Sequence, residues 1–305
     1  MIRALWKPWY VHRPGQIFKR IVRASRPLPA KAIVRMPWGV RLEIDPRENI
    51  GREVWTVGVF DLVVSELLYR LVPVGGTALD VGANIGHMTS VLAAKVGRTG
   101  RVLAFEPHPV VADRLAHNVE FAKQDTGATV ELHRTALSDA NGTAELIVPK
   151  TADANEGLAT LSPGSGTVAA GIFTVPTARL DDLPNLDRID VMKMDVEGHE
   201  AAVLRGATRL LNAGAIAAIV FEEHEGPTSA TCRILQAAGY TLFQTGWHIN
   251  GLVLVGLDEP NPTRNYMAPS FLALKDPAAA LPGLKTPGWQ VFSSRGRIST
   301  GASSS

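Results

Sequence analysis

Residues 78–86 read Ala-Leu-Asp-Val-Gly-Ala-Asn-Ile-Gly, and residues 101–109 read Arg-Val-Leu-Ala-Phe-Glu-Pro-His-Pro. Each is an apolar run that breaks off at small or acidic residues and is followed by a helical pattern. That is how a parallel strand looks when it ends at a ligand crevice and hands over to a helix, and it commits the chain to an α/β fold. Gly82 allows a tight turn and close approach of the backbone to a ligand. Glu106, ending the second strand, is placed to accept hydrogen bonds from the two hydroxyls of a ribose. The pair points to a nucleoside-containing cofactor.

A dinucleotide fingerprint would need Gly-x-Gly-x-x-Gly, whose middle glycine lets a pyrophosphate rest on the helix N-terminus. Here Ala83 and Asn84 stand between Gly82 and Gly86, where that glycine should be. Asp80 precedes the turn, where a carboxylate repels pyrophosphate. It suits a cofactor carrying positive charge, as S-adenosylmethionine does at its sulfonium and amino groups. Taken singly, Asp80 and Asn84 could merely cap the following helix. In register with Glu106, they favour the cofactor reading.

The rest of the chain supports a regular alternation. Val40 to Ile44 alternates as a short strand, and residues 53–71 carry apolar positions at helical spacing. Strand 78–82 leads to helix 86–96, strand 101–106 to helix 109–122, and strand 130–137 to a polar connection. Strand 189–194, helix 199–212, strand 215–222 and helix 227–238 follow, with closing strands near 240–245, 251–256 and 270–275. Strands alternating with helices imply a parallel sheet, and the helix-poor end implies an antiparallel finish. The connection 139–184 breaks the pattern. Asn141-Gly142 marks a hairpin turn, and the Gly-, Ala-, Ser- and Thr-rich stretch 151–171 reads as a flexible loop or a lid.

The domain reading is a basic segment 1–38, a lead-in strand and helix 39–75, a core domain 76–275, and a Pro-, Gly- and Ser-rich tail 276–305 expected to be unstructured. The composition, 46% hydrophobic and 20% charged, is that of a soluble globular protein. A single cysteine, Cys232, rules out an internal disulfide and fits a reducing cytoplasm. No apolar run is long enough to span a bilayer, and no signal core stands at the N-terminus.

Residues 1–42 hold ten Lys or Arg and no acid, so the remaining residues carry eight more acids than bases. Trp6, Trp9, Tyr10 and Phe18 interleave with these charges. The mixture suits peripheral contact of residues 1–30 with an anionic membrane, or plain solvation.

A second constellation lies at Lys193-Met-Asp-Val-Glu-Gly-His-Glu200, a strand running into a helix. Lys193, Asp195 and Glu197 share one parity. Asp195 should approach the crevice lined by Asp80 and Glu106. Glu222, Glu223 and His224 stand at the equivalent end of the next strand. These acids and histidines supply a general base, a metal site, or both. The bland alternatives are dipole stabilisation by Glu200 and an internal ion pair between Lys193 and Asp195.

The runs Asp80-Val-Gly-Ala-Asn-Ile-Gly-His, Ala104-Phe-Glu-Pro-His-Pro109 and Lys193 to Gly206 resemble the FkbM family of S-adenosylmethionine-dependent methyltransferases. So do Thr135-Ala-Leu-Ser-Asp139, Ala178-Arg-Leu-Asp-Asp-Leu183 and the closing Asn265-Tyr and Ser270-Phe-Leu-Ala-Leu274. The resemblance covers roughly 40–275. It implies the class I methyltransferase fold, a Rossmann-like three-layer α/β sandwich whose mostly parallel seven-stranded sheet has an antiparallel last strand. It further implies that Asp80, Gly82, Asn84 and Gly86 hold the methionine end of the cofactor. Glu106 would take the ribose, with Ser138 and Asp139 bordering adenine. The implied activity is methylation of hydroxyls on sugars and polyketides. Neither the 151–171 stretch nor the basic N-terminus belongs to the shared pattern.

The expected chemistry is in-line methyl transfer to an acceptor hydroxyl, with His199 or His224 as base. Lys193, Asp195 and Glu197 complete the catalytic candidates. Alternatively Asp195 with Glu222 or Glu223 binds Mg²⁺ and acidifies the hydroxyl. A nicotinamide-dependent oxidoreductase and a non-catalytic cofactor-binding scaffold are the readings of a different class. A nucleic-acid acceptor is disfavoured, because Asp195-Val-Glu-Gly stands where amino-methylating enzymes carry an Asn/Asp-Pro-Pro-aromatic loop. The partner is then a small molecule or a glycan.

Overall fold

The computed structural model describes residues 7–18, 27–150, 159–162, 167–261 and 270–293. Trp6, part of the basic segment, most of the 151–171 stretch, Asn265-Tyr266 and the last Ser-rich residues lie outside these. A short helix α1 (Pro8–Val11) precedes the hairpin β1 (Ala32–Arg35) and β2 (Arg41–Ile44), then α2 (Asn49–Val57) and α3 (Leu62–Leu71). Next come β3 (Thr77–Val81), α4 (His87–Val96), β4 (Arg101–Phe105), α5 (Pro109–Thr126), β5 (Thr129–His133), β6 (Ala136–Leu137), β7 (Gly142–Pro149) and β8 (Ala169–Ala178). The chain continues through β9 (Val191–Met194), α6 (Glu200–Arg205), α7 (Thr208–Asn212), β10 (Ala218–Glu222) and α8 (Ala230–Ala237). It closes with β11 (Thr241–His248), β12 (Gly251–Gly256), β13 (Ser270–Leu274), α9 (Pro277–Leu284) and α10 (Gln290–Ser293).

The main sheet runs β12-β11-β13-β10-β9-β3-β4-β5. Strands β5, β4, β3, β9 and β10 are parallel, and β13 inserts antiparallel to both β10 and β11. The mostly parallel sheet with an antiparallel last strand is as expected, but β12, added at the edge, makes eight strands rather than seven. Strand parity divides the core. Ala78, Val102, Ala104, Val191 and Val220 face the layer of α3, α4 and α5, while Leu79, Leu103, Phe105, Met192 and Phe221 face that of α6, α7 and α8. Both faces are apolar because both are covered, as parallel sheets require.

Several expectations need correction. The helix expected over 53–71 is two helices. Gly58 (φ 91°) ends the first, and Asp61 (φ 37°) caps the second by accepting from Val64 N at 3.0 Å. The helix expected over 199–212 breaks at Gly206, where a Cβ would lie 1.9 Å from the Ser138 carbonyl oxygen. The connection 139–184 contains two long antiparallel strands, β7 and β8, which with β6 form a separate three-stranded sheet. Asn141-Gly142 therefore does not close a hairpin, because β6 and β7 both pair with β8 rather than with each other.

The tail is not unstructured over 277–293. Arg70 donates to the carbonyls of Gly283 (3.0 Å), Leu284 (3.3 Å), Thr286 (2.7 Å) and Gly288 (2.7 Å). Its partner Glu66 accepts from Gln290 N (2.7 Å) and Val291 N (2.8 Å). Both side chains are buried, as are Trp289 and Val291. The basic segment also turns inward. Tyr10 is buried, Trp9 packs on Trp247 (5.9 Å between rings), and Phe18 is 71% exposed.

Candidate active site

After β3 the chain turns through Gly82 (φ 75°), Asn84 (φ 49°) and Gly86 (φ 89°). Gly82 is required by contact as well as by conformation, since a Cβ there would lie 1.8 Å from the Asp195 carbonyl oxygen. Gly82 N and Ala83 N both donate to Phe105 O (3.0 and 2.9 Å), which staples the turn to β4. Glu106 follows immediately. Its Oε2 accepts from Asn84 N and its Oε1 from His108 N, each at 2.9 Å. Burial pushes this carboxyl up to about 7 despite the two donors. Each oxygen keeps a further lone pair for a ligand hydroxyl.

Beneath the turn lies an ion cluster fixed by strand register, with Asp80 directly opposite Lys193. Lys193 Nζ donates to Gly82 O at 2.7 Å and lies 3.6 Å from Asp80 Oδ1 and 3.5 Å from Asp195 Oδ2. Burial opposes its charge, but Asp195 and Asp80 outweigh that and raise its pKa above the ordinary lysine value. Asp80 is fully buried and accepts from Thr89 Oγ1 at 2.6 Å. It acts from below the turn and does not line the cavity.

The cavity above encloses about 340 Å³, within the range of small-molecule sites. One part is lined by Gly82, Ala83, Asn84, Glu106, Thr135, Ala136 and Leu137; across β3 from it stand Asp61, Asp195, Glu197, Glu222 and His224. Burial, reinforced by the charge of Asp195, raises Asp61 to about 6 and Glu197 to about 7, and moves Glu222 up as well. Glu222 Oε1 lies 3.1 Å from Nε2 of His224, a largely exposed side chain. Crowded carboxyls that resist ionisation are primed for a cationic ligand or for holding a proton.

Of the sequence candidates, Gly82, Asn84, Glu106, Lys193, Asp195, Glu197, His199, Glu222 and His224 line this one cavity. Gly86 shapes the turn without lining it. Ser138 and Asp139 are turned elsewhere, Ser138 Oγ to His199 Nε2 (2.9 Å) and Asp139 Oδ2 to Arg205 Nε (3.0 Å). Glu223 is also absent from the wall, because its Oε1 accepts from Glu225 N at 2.7 Å. Among the described residues no group of three or more His, Cys, Asp or Glu is disposed to hold a metal ion. The parity argument for Glu197 fails, since β9 ends at Met194 and Glu197 sits in a left-handed turn (φ 52°). Glu200 closes that turn by accepting from Val196 N (3.2 Å) and Gly198 N (3.3 Å).

Sequence reasoning missed Asp61, His87, Leu146 and Leu161, all on the cavity wall. Asp61 was legible as an N-cap before the apolar run 62–64 had Gly58 been read as a helix end. His87 is buried, its Nε2 accepts from Phe60 N at 3.2 Å, and burial pushes its ring down to about 3, so the proton sits on Nδ1. Leu146 and Leu161 had no signal, being isolated apolar residues in the irregular connection 139–184.

Residues 80–242, just over half of the chain, match the model of the methyltransferase FkbM domain. Hexuronic acid methyltransferase AglP of Haloferax volcanii is 33% identical over 147 residues, 48% of this chain and 55% of that protein. Methyltransferase sdnD of Sordaria araneosa is 29% identical over 184 residues, 52% of this chain and 67% of that protein. The chain thus spans between half and two thirds of the length of these relatives. Among solved structures, Aeropyrum pernix fibrillarin with natively bound S-adenosyl-L-methionine aligns at 14% identity and a TM-score of 0.39, over 81% of this chain and 94% of that one. No helix among the described residues is long and apolar enough to cross a membrane.

Proposed function

Because this chain belongs to the FkbM methyltransferase family, we propose that it methylates a hydroxyl group on a sugar, glycan, glycolipid or polyketide-like small molecule, with S-adenosylmethionine as donor. The observation that carries the reading is Glu106. It is a buried carboxylate held by two backbone donors at the floor of the cavity, with one lone pair on each oxygen left for a diol.

The residues present fit this cofactor. The turn at Gly82 lines the cavity with backbone, and a Cβ there would strike the Asp195 carbonyl that packs against it. The acids gathered beyond β3 complement a positive sulfur. When bound, S-adenosylmethionine supplies an electrophilic methyl group on that sulfonium.

The remaining work belongs to this chain. Asp195 and Glu222, at the ends of adjacent parallel strands, line the part of the cavity where an acceptor hydroxyl would stand. Glu222, its pKa raised by burial and by Asp195, is the candidate to take the hydroxyl proton as the oxygen attacks. A base whose pKa approaches the working pH is the most effective one. His224 Nε2, 3.1 Å away and open to water, can pass that proton to solvent. Holding the acceptor oxygen in line with the methyl carbon supplies much of the remaining acceleration. A sugar acceptor has the support of the hexuronic acid methyltransferase named above.

Three measurements test the reading. Calorimetry should show binding of S-adenosylhomocysteine and none of NAD; the reverse would return the nicotinamide alternative. Incubation with methyl-labelled cofactor and a panel of glycans, glycolipids and host extract should give a methyl ether by product mass analysis. Label that appears only on nitrogen or carbon, or on no product, would sink the O-methylation assignment. Loss of turnover after exhaustive chelation would bring back the Mg²⁺ alternative at Asp195 and Glu222.

A further inference from the structure

His199 lines the cavity, yet both of its ring nitrogens are occupied. Nε2 meets Ser138 Oγ and Nδ1 meets Ser162 Oγ, each at 2.9 Å. A neutral imidazole offers one donor and one acceptor, and two hydroxyls can match either tautomer. The segment that His199 reaches, 159–162, belongs to the insertion between β7 and β8. It is pinned from two further directions and braced within itself. Thr160 Oγ1 donates to Glu197 O at 2.7 Å, Ser162 N donates to Thr160 Oγ1 at 2.9 Å, and Thr160 and Ile147 exchange backbone hydrogen bonds at 2.9 and 3.0 Å.

The segment so held presents Ala159 and Leu161 to the cavity, beside Leu137 and Leu146. Sheet order fixes where this wall stands. From β3, Asp195 and Glu222 lie toward β9 and β10, whereas Glu106 and Leu137 lie on the β4–β5 side. The His108 ring, two residues past Glu106, packs on Phe173 of β8 (4.7 Å), which brings the insertion sheet against the ribose-binding carboxylate. The apolar wall therefore runs from the ribose side, at Leu137 and Leu146, to the β9 side, where Thr160 and Ser162 are tied to Glu197 and His199. A flat, weakly polar ring attached to that ribose is what such a slot accommodates.

We infer that His199 is a positioning residue, a clasp that holds the insertion segment 159–162 against the cavity so that Leu161, with Leu137 and Leu146, forms the slot for the cofactor's nucleobase. The slot, though not the clasp, rests on the cofactor reading given above. It replaces the roles expected of His199 as base and of Ser138 and Asp139 as adenine neighbours, since Ser138 serves the clasp and Asp139 serves Arg205.

The test has two arms. In the ligand-free protein, hydrogen exchange at the amides of Ile147 and Thr160 should accelerate about tenfold in His199→Ala, the equivalent of one or two net hydrogen bonds. Exchange over 78–90 should stay unchanged. His199→Asn, whose amide can still reach Ser162, should recover part of the protection. Ser162→Ala keeps the imidazole and should reproduce part of the loss, and it carries this arm alone if His199→Ala does not fold. In the second arm, His199→Ala and Leu161→Ala should each weaken S-adenosylhomocysteine by about tenfold in calorimetry. Unchanged exchange at Ile147 and Thr160 would overturn the clasp, and unchanged affinity would overturn the slot. If the unmodified protein binds no S-adenosylhomocysteine, the cofactor reading and the slot fall together, while the exchange arm still decides the clasp.

Discussion

The two ends of the cavity are built by different means. Around the ribose position the wall is mostly backbone: the turn at Gly82, the amides of Asn84 and His108, and one carboxylate they hold. These parts come from two consecutive strand ends and are locked by contacts that leave no space for a Cβ. At the opposite end the wall is side chain, drawn from separate stretches: Asp61 before α3, Glu197 after β9, Glu222 and His224 after β10. Backbone geometry serves a ligand that never changes, whereas side chains let one scaffold be refitted to another acceptor. The difference teaches where substitution should abolish binding and where it should only redirect or slow the reaction.

The sharpest way to break this contrast is Glu222→Gln. It should lower kcat about 10²–10⁴-fold, the range of general-base catalysis, with S-adenosylhomocysteine affinity unchanged in calorimetry. A matching loss of affinity would mean that the two ends are not separate. Arg70→Ala comes next. Leaving Glu66 buried and unpaired should cost about 3–5 kcal/mol of stability, read as a lower denaturant midpoint. Because α3 carries Asp61 at its start, the acceptor KM should change more than the cofactor Kd. Gly82→Ala should cost about 3 kcal/mol through its left-handed φ and the clash with Asp195 O, and it should abolish cofactor binding. Normal binding by a folded Gly82→Ala protein would refute the backbone-built wall.

The smallest effect is a pH trend. Glu106 and Glu197 are raised to about 7 and Asp61 to about 6. In the folded protein these groups keep their protons to higher pH than in the unfolded chain. Stability of the ligand-free protein should therefore fall as pH rises from about 4 to about 7. Thermal melts across that range check the sign. Over the same interval the preference for S-adenosylmethionine over its uncharged thioether product should grow, as the acids facing the sulfonium ionise.

The cofactor end was the more legible of the two in the sequence, because Asp80, Gly82, Asn84 and Glu106 stand at the ends of two consecutive strands and their residue types are dictated by backbone conformation and charge. Lys193 was legible through strand parity, and so was Asp195, whose N–H still pairs with Val81 O just past the end of β9, but Glu197 was not, since the chain has by then entered a left-handed turn. The roles given to Ser138 and His199 could not be separated from sequence. They depend on a contact between residues 61 positions apart and on a third partner, Ser162, in a stretch of loop-like composition. The fold followed the same rule. Alternation of strands and helices showed in hydrophobic period, whereas the packed segment 277–293 was hidden because Glu66 and Arg70, more than 200 positions earlier, supply its hydrogen bonds.

The Glu66–Arg70 pair also sets an order of events during synthesis. Arg70 emerges from the ribosome long before Gly283, Leu284, Thr286 and Gly288, the four carbonyls it will serve. Until then α3 can lie on the sheet only by exposing its Glu66–Arg70 ion pair or by burying that pair with most of its hydrogen-bonding groups unmet. A chain arrested on the ribosome before residue 283 should be open to proteolysis along α3 and become resistant once residue 291 is free of the exit tunnel. For this protein, the settling of α3 waits on a stretch of chain made more than 200 residues later.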